Sequence, residues 1–397
     1  MNILFANNHN YIRGGAEKVY FDEMDLLSQN GHSVTPFSYN DENSIQHYKY
    51  VEGMLDDFNV SNVKKLKNIF WNTDAYEELK KIINHQQIDI FHGHNIHTRL
   101  SPSIIFAAKE LGVKTFITLH DLKYVCPHYS MLHNYKICED CEGGAYYHAV
   151  LNKCHKESYI KSAIVAAELY NFERLKLHTV VDTFISPSHF LIQKYKEMGF
   201  KGRLEYIPNF IDTQANIESV EQGDNYIFVG RLSYEKGILV LLEAFKNNNK
   251  KLDIVGDGPL MNTIKEYIEK HSMSNRIMLH GHLSSKQVLQ KVLISKALIL
   301  PSETYENAPI SILEALSFGK IVLGSNLGGI PEMIHESQNG FLFKPGSADD
   351  LNRAIDKCES LSEKELDRFK AYSLELVNTV FSKKAHLNRL IKLYEEG

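Results

Sequence analysis

In PSETYENAPISILEALSFGKIVLGSNLGGIPE (301–332) two carboxylates, Glu306 and Glu314, stand eight residues apart. On one continuous helix that spacing is about 12 Å of rise. It exceeds the roughly 5–9.5 Å between the two carboxylates of a glycosidase. Pro309 changes the geometry, because proline is favoured in the first helical turn and disfavoured deeper in. Glu306 then belongs to the loop entering a helix, and Glu314 to the helix body. The free amides of that helix, from Ala308 onward, make an anion site beside Glu306. The plainer alternative is two exposed glutamates on an amphipathic helix. Against it stand Gly319, Gly324, Gly328 and Gly329, placed where strands meet helices and where glycine lets backbone approach a ligand.

A second constellation is VGRLSYEKG (229–237). A strand ends at Gly230, the cations Arg231 and Lys236 follow, and Gly237 opens a helix. Two cations and a helix N-terminus at a strand's carboxyl end suit a diphosphate. The third is RGGAE (13–17), where the amides of Gly14 and Gly15 can meet a phosphate or a sugar; a tight turn without a ligand is the alternative. VGDGPL (255–260) adds a strand-end turn at Gly258, with Pro259 starting a helix.

These groups need a scaffold, and the pattern supplies one. Apolar β-rich runs recur at 2–6, 32–39, 88–94, 114–120, 182–188 and 203–208, and again at 226–232, 251–258, 276–283, 296–302, 320–325 and 340–345, with helical periods between most of them. That rhythm predicts an α/β protein of two doubly wound parallel-sheet domains. The polar stretch 212–225 lies between the two series, and ligands are expected beyond the strands' carboxyl ends, in a cleft between facing domains.

A chain of 397 residues has room for two such cores, and a net charge of -5 leaves no basic field for nucleic acid. The N-terminal MNILFANNHN lacks a charged n-region and a long apolar run, and no segment approaches the length of a membrane span. The expected place is the cytoplasm, where thiols stay reduced. KKLKNIFW (64–71), with three lysines beside Ile69, Phe70 and Trp71, could lie on the inner face of an anionic membrane; the alternative is a helix end packed through its apolar side. Four of five cysteines fall in one segment as Cys126-x11-Cys138-x2-Cys141-x12-Cys154. One CxxC and two further thiols fit a structural zinc site, with His128, His133, His148 and His155 as substitutes. Buried free cysteines under a surface loop are the alternative.

The frame Pro-Ser-x-x-x-Glu, ENAPISILE, LEAL and GGIPE, with GGAE, IPNFID, GRL…EKG and VGDGPL in order, resembles the retaining glycosyltransferases of the two-Rossmann (GT-B) type that carry E-x7-E. Closest in character are bacterial enzymes that build capsule, O-antigen or other cell-surface polysaccharide. The resemblance spans about 2–350 and implies Rossmann-like domains at 1–208 and 209–379, with a C-terminal helix at about 380–397 packing back on the first. It implies that Glu306 contacts donor-sugar hydroxyls, Glu314 the ribose, and Arg231 and Lys236 the diphosphate. Asn307, Ala308 and Pro309 would line the sugar, His280–His282, with Gly281, would approach the base, and Asn209 would mark the hinge. Gly14, Gly15, Gly230 and Gly258 complete the donor side. His120 matches a histidine beside the reacting sugar, and His94 and His97 fall on the acceptor side. Where the family usually has Phe-Gly, this chain has Asn307-Ala308.

The implied partners are a UDP- or GDP-linked sugar and a glycan or lipid-linked acceptor. The chain has no Asp-x-Asp, the pattern that holds a divalent ion on a diphosphate in other transferases, so catalysis is expected to need no cofactor. Two alternatives stay open. A nucleotide-sugar epimerase would act on the donor with no acceptor present. A non-enzymatic, metal-stabilised binding module would keep its function after Glu306→Ala or Lys236→Ala.

Overall fold

The computed structural model describes residues 1–40, 54–56, 61–212 and 223–397. Most of the polar stretch expected between the domains, 213–222, lies outside the described residues. The chain divides into two compact units. One is Met1–Met131 with Cys138–Pro208 and His386–Gly397; the other is Leu132–Ile137 with Asn209–Ala385.

The first unit carries strands β1 (Asn2–His9), β2 (Ser33–Asn40), β3 (Met54–Asp56), β4 (Ile90–Gly93) and β5 (Lys114–Thr118). Its remaining strands are β8 (Thr183–Ser186) and β9 (Leu204–Tyr206); between β5 and β8 the chain forms the two-stranded hairpin of β6 (Leu132–His133) and β7 (Lys136–Ile137), which groups with the second unit. Seven of these form one sheet in the order β3-β2-β1-β4-β5-β8-β9, and all its pairings are parallel. The second unit carries β10 (Tyr226–Val229), β11 (Leu252–Val255), β12 (Ile277–Gly281), β13 (Ala297–Leu300), β14 (Ile321–Ser325) and β15 (Gly340–Phe343). Their order is β12-β11-β10-β13-β14-β15, again parallel throughout. Counted along each unit this is the 3-2-1-4-5-6 winding, with a seventh strand at the edge of the first sheet, and the order reverses beside β1 and beside β10.

Both sheets are apolar runs because helices cover both faces. In the second unit Tyr226, Phe228, Leu252, Ile254, Ala297, Ile299, Ile321 and Leu323 pack on one face. Ile227, Val255, Leu298, Leu300 and Val322 pack on the other, as period-two alternation requires. In the first unit Ile3, Phe5, Ile90, Phe116 and Ile185 meet Tyr20, Phe21, Met24 and Leu27 of the helix Gly15–Gln29. They also meet Leu390, Leu393 and Tyr394 of the helix Lys383–Glu396. The C-terminal helix is thus part of the first unit's core.

The lysine-rich segment forms the helix Asn62–Phe70, none of whose residues is fully buried. Trp71 leaves it to pack against Tyr76 and Phe106. Among the described residues no helix is long and apolar enough to cross a membrane.

Candidate functional site

At the reversal point of the second sheet, β10 and β13 release neighbouring loops, and these hold the expected charges. The β10 loop carries Gly230 and the exposed Arg231, then a short turn at Tyr234–Lys236 before the helix Ile238–Lys246. The β13 loop carries Ser302 through Pro309, and Pro309 precedes the helix Ile310–Ser317, with extended backbone (φ -62°, ψ 121°) as its N-cap. Lys236 Nζ lies 2.5 Å from Glu306 Oε1. Ser302 Oγ donates to the same oxygen at 2.7 Å.

Close backbone contact locks the two loops together. Glu303 N–H donates to the Glu235 carbonyl at 2.9 Å. Gly237 sits at φ +67°, and a Cβ there would fall 1.8 Å from the Pro301 carbonyl oxygen. Only glycine fits. The GGIPE loop clamps the other side, where Gly329 N–H donates to the Glu306 carbonyl at 2.7 Å. A Cβ on Gly328, itself at φ +65°, would lie 2.5 Å from that oxygen. Gly328→Ala is therefore expected to displace Glu306 as well as to strain the turn. It should cost at least about 1–2 kcal/mol in urea unfolding.

Glu314 lies half-buried in the second turn of the helix Ile310–Ser317. Asn209 Nδ2 donates to the Ala308 carbonyl at 3.0 Å, which fixes the backbone just before Pro309. The VGDGPL loop interlocks with the β10 loop, Leu232 and Leu260 donating N–H bonds to the Asp257 and Leu232 carbonyls at 3.0 Å. Its helix starts at Met261, two residues beyond Pro259. Gly281 ends β12 at φ +66°. The His280 ring turns to Asp253, with Nε2 2.5 Å from Oδ1.

In the first unit the carboxyl ends of β1, β4 and β5 gather the histidines. Gly14 and Gly15 are exposed at the start of the helix Gly15–Gln29. His94, just past β4, is buried and pairs its Nδ1 with His120 Nε2 at 2.8 Å, the rings stacked. Its Nε2 lies 3.3 Å from Glu23 Oε2. Glu23 Oε1 in turn lies 3.0 Å from His386 Nε2, and His386 donates Nδ1–H to the Pro208 carbonyl at 2.8 Å.

Burial alone would raise the Glu23 carboxyl. The hydrogen bonds from His386 and His94 outweigh it and hold the group well below the usual carboxylate range. Burial, with the neighbouring His94, pushes His120 down to about 3, so its ring is neutral near pH 7. A neutral ring suits orienting a sugar hydroxyl, and it is a poor carrier of charge. Asp121 next to it is raised to about 6 by burial, in spite of a hydrogen bond from the Lys123 amide.

His97 does not join this chain. Its ring packs on Tyr124 and Phe172, and burial, with Lys123 nearby, drives its pKa well down. Sequence reading did not pick out Ser302, Glu23 or His386. For Glu23 a signal existed: it stands on the buried stripe of its helix among Val19, Tyr20, Met24 and Leu27, where a lone carboxylate needs partners.

Two family models cover nearly the whole chain. Glycosyltransferase Family 4 matches 13–215 and Glycosyl transferases group 1 matches 210–375. Among curated relatives, a phosphatidylinositol N-acetylglucosaminyltransferase polypeptide of Arabidopsis thaliana is 25% identical over 71% of this chain. That match spans 57% of the plant protein's length. An uncharacterized 42.6 kDa protein in the cps region of Klebsiella pneumoniae is 25% identical over 93% of this chain and 100% of its own. Among solved structures, Anabaena HepE in complex with UDP superposes with a TM-score of 0.72 at 16% identity, over 100% of both chains. That likeness shows the fold, two Rossmann-like domains of the GT-B type.

Proposed function

Because the chain belongs to the glycosyltransferases built from a family 4 domain and a group 1 domain, we propose that it moves a sugar, with retention, from a uridine diphosphate donor to a glycan or lipid-linked acceptor. Its setting would be the assembly of cell-surface polysaccharide. The observation that carries this reading is the Lys236–Glu306 pair at the sheet's reversal point, beside the helix that begins at Ile310. A cation, a carboxylate and free helix amides there fit a diphosphate on one side and sugar hydroxyls on the other. The Anabaena neighbour holds UDP, the plant relative's name includes phosphatidylinositol, and the Klebsiella relative belongs to the cps region.

In this mechanism the bond from the anomeric carbon to the diphosphate oxygen lengthens first. Negative charge grows on the departing phosphate, and Arg231, Lys236 and the amides at Ile310 are placed in advance to stabilise it. Glu306 holds sugar hydroxyls and Glu314 the ribose, so the anomeric carbon is oriented and little is left to entropy. The acceptor hydroxyl attacks from the face the phosphate leaves, and its proton passes to that phosphate oxygen. The product keeps the donor's anomeric configuration. His120, a neutral ring, suits orienting a sugar hydroxyl. These side chains supply the charge stabilisation with no metal in any step.

A thermal-shift screen of sugar nucleotides tests the donor. At a hundredfold excess over Kd a true donor stabilises by about 2.7 kcal/mol, so uridine nucleotides are expected to raise Tm and guanosine nucleotides to leave it unchanged. The reverse ranking would sink the choice of base. Proton NMR of the product would sink retention if the anomeric configuration were inverted.

A further inference from the structure

We propose that Cys126, Cys138, Cys141 and Cys154 hold one structural zinc ion that fastens the segment between β5 and the helix Tyr159–Arg174. All six pairings of these four thiols are close enough for each sulfur to sense the others' charge. None of the four is in a disulfide. Cys126 and Cys141 are buried, and Cys138 and Cys154 half-buried.

Backbone amides are aimed at the sulfurs. Cys126 accepts N–H bonds from His128, two residues on, and from Met131. Cys138 accepts one from Asp140, again two residues on, within the CEDC turn. Cys141 accepts one from Ala149. An amide two residues after a cysteine, turned back on its sulfur, favours negative charge there and works against burial, the larger effect, which raises these thiols. Such outer bonds orient and tune thiolate ligands around a metal. With one CxxC turn and two further thiols, the donors are those of a Zn(Cys)4 site.

A second observation points the same way. Seven non-glycine residues of this segment hold positive φ: Tyr129, Met131, Asn134, Tyr135, Lys153, Lys156 and Glu157. Its strands β6 and β7 are two residues each. So much left-handed backbone persists only where something over-determines it, and a segment this poor in regular structure needs a staple.

The structure offers one rival. Ligand atoms of Glu23, His92 and His94 already lie within 4.8 Å of one another, a closeness that no three of the thiols share. Most of the rival's ring nitrogens are already engaged elsewhere. His92 spends Nδ1 on Tyr394 and Nε2 on Thr118, at 2.6 and 2.7 Å, and His94 Nδ1 is taken by His120.

The test is metal analysis of the full chain, purified without chelator. About one zinc per chain is expected, retained in Cys358→Ser and lost in Cys138→Ser and in Cys141→Ser. Cobalt substituted into the unmutated protein should show a strong thiolate-to-cobalt charge-transfer band, a readout that does not depend on the variants folding. Less than a tenth of an equivalent of zinc in the unmutated protein would overturn the proposal. So would zinc that persists in the Cys138→Ser, Cys141→Ser double variant, which would place it on Glu23, His92 and His94.

Discussion

Lys236→Ala is expected to lower kcat/KM for sugar transfer by roughly 10²–10³-fold, or about 3–4 kcal/mol of transition-state stabilisation. Two separate losses add to that figure. The first is the cation facing the leaving diphosphate, where charge grows as the sugar bond breaks. The second is Glu306. Its Oε1 now accepts from Lys236 Nζ at 2.5 Å and Ser302 Oγ at 2.7 Å, and without the lysine only the neutral partner remains. A carboxylate so exposed swings toward water and loses its aim on the sugar.

The fold should survive the change. The pair keeps more than a tenth of each side chain exposed, and such bridges contribute about 1 kcal/mol or less to stability. Urea unfolding should therefore move little while turnover collapses. Lys236→Arg should not restore activity, because a planar guanidinium cannot replace a compact ammonium at 2.5 Å from a carboxylate. Glu306→Ala combined with Lys236→Ala should cost much less than the sum of the single losses, since each residue works through the other. Full transfer activity in Lys236→Ala would defeat the proposed chemistry.

The second sheet's part of this site was legible because its causes are local. Parallel strands buried on both faces read as apolar runs, so Tyr226–Val229 and Ala297–Leu300 stand out, and the charges follow directly at their carboxyl ends. Pro309 marks the helix start by its own stereochemistry. What stayed hidden depends on distant partners. Nothing near Gly237 says that the Pro301 carbonyl will come within 1.8 Å of its missing Cβ. Glu23 and His386 are 363 residues apart in sequence, and they meet only because the helix Lys383–Glu396 packs into the first unit's core. The strand expected to run to His120 stops at Thr118. The hairpin at 132–137 has no apolar alternation to announce it. His97, read as an acceptor-side residue, shares a polar stretch of sequence with His94, yet its ring turns to Tyr124 and Phe172.

Between about pH 6 and pH 4.5 the first unit is expected to lose stability at about 2.7 kcal/mol per pH unit. His92 and His97 are held well below 6.5 and His120 at about 3, in each case chiefly by burial. His92 faces Glu23, His94, His120 and His386; His97 faces Lys123; His120 faces His94 and Glu23. An unfolded chain takes up three protons at these positions as pH falls through 6.5, while the folded unit takes none. Asp121 opposes them. Raised to about 6 from an ordinary 3.8, it binds a proton in the folded state first. Between about pH 6 and 4.5 the balance is three minus one, so unfolding takes up two protons and stability falls with pH. His32 and His155, also lowered by burial, add in the same direction. Below 4.5 Glu23 joins, because its folded carboxyl stays ionised while the unfolded one protonates. The single tryptophan, Trp71, sits in this unit against Tyr76 and Phe106, so its fluorescence during urea unfolding reads the change directly. Moving from pH 6 to pH 5 should remove about 2.7 kcal/mol, a large share of a domain's usual margin. His97→Phe, which suits the ring cluster, should flatten the slope by one proton, to about 1.4 kcal/mol per unit. A stability that stays level from pH 7 to pH 5 would show that these histidines are charged in the folded unit, contrary to their burial.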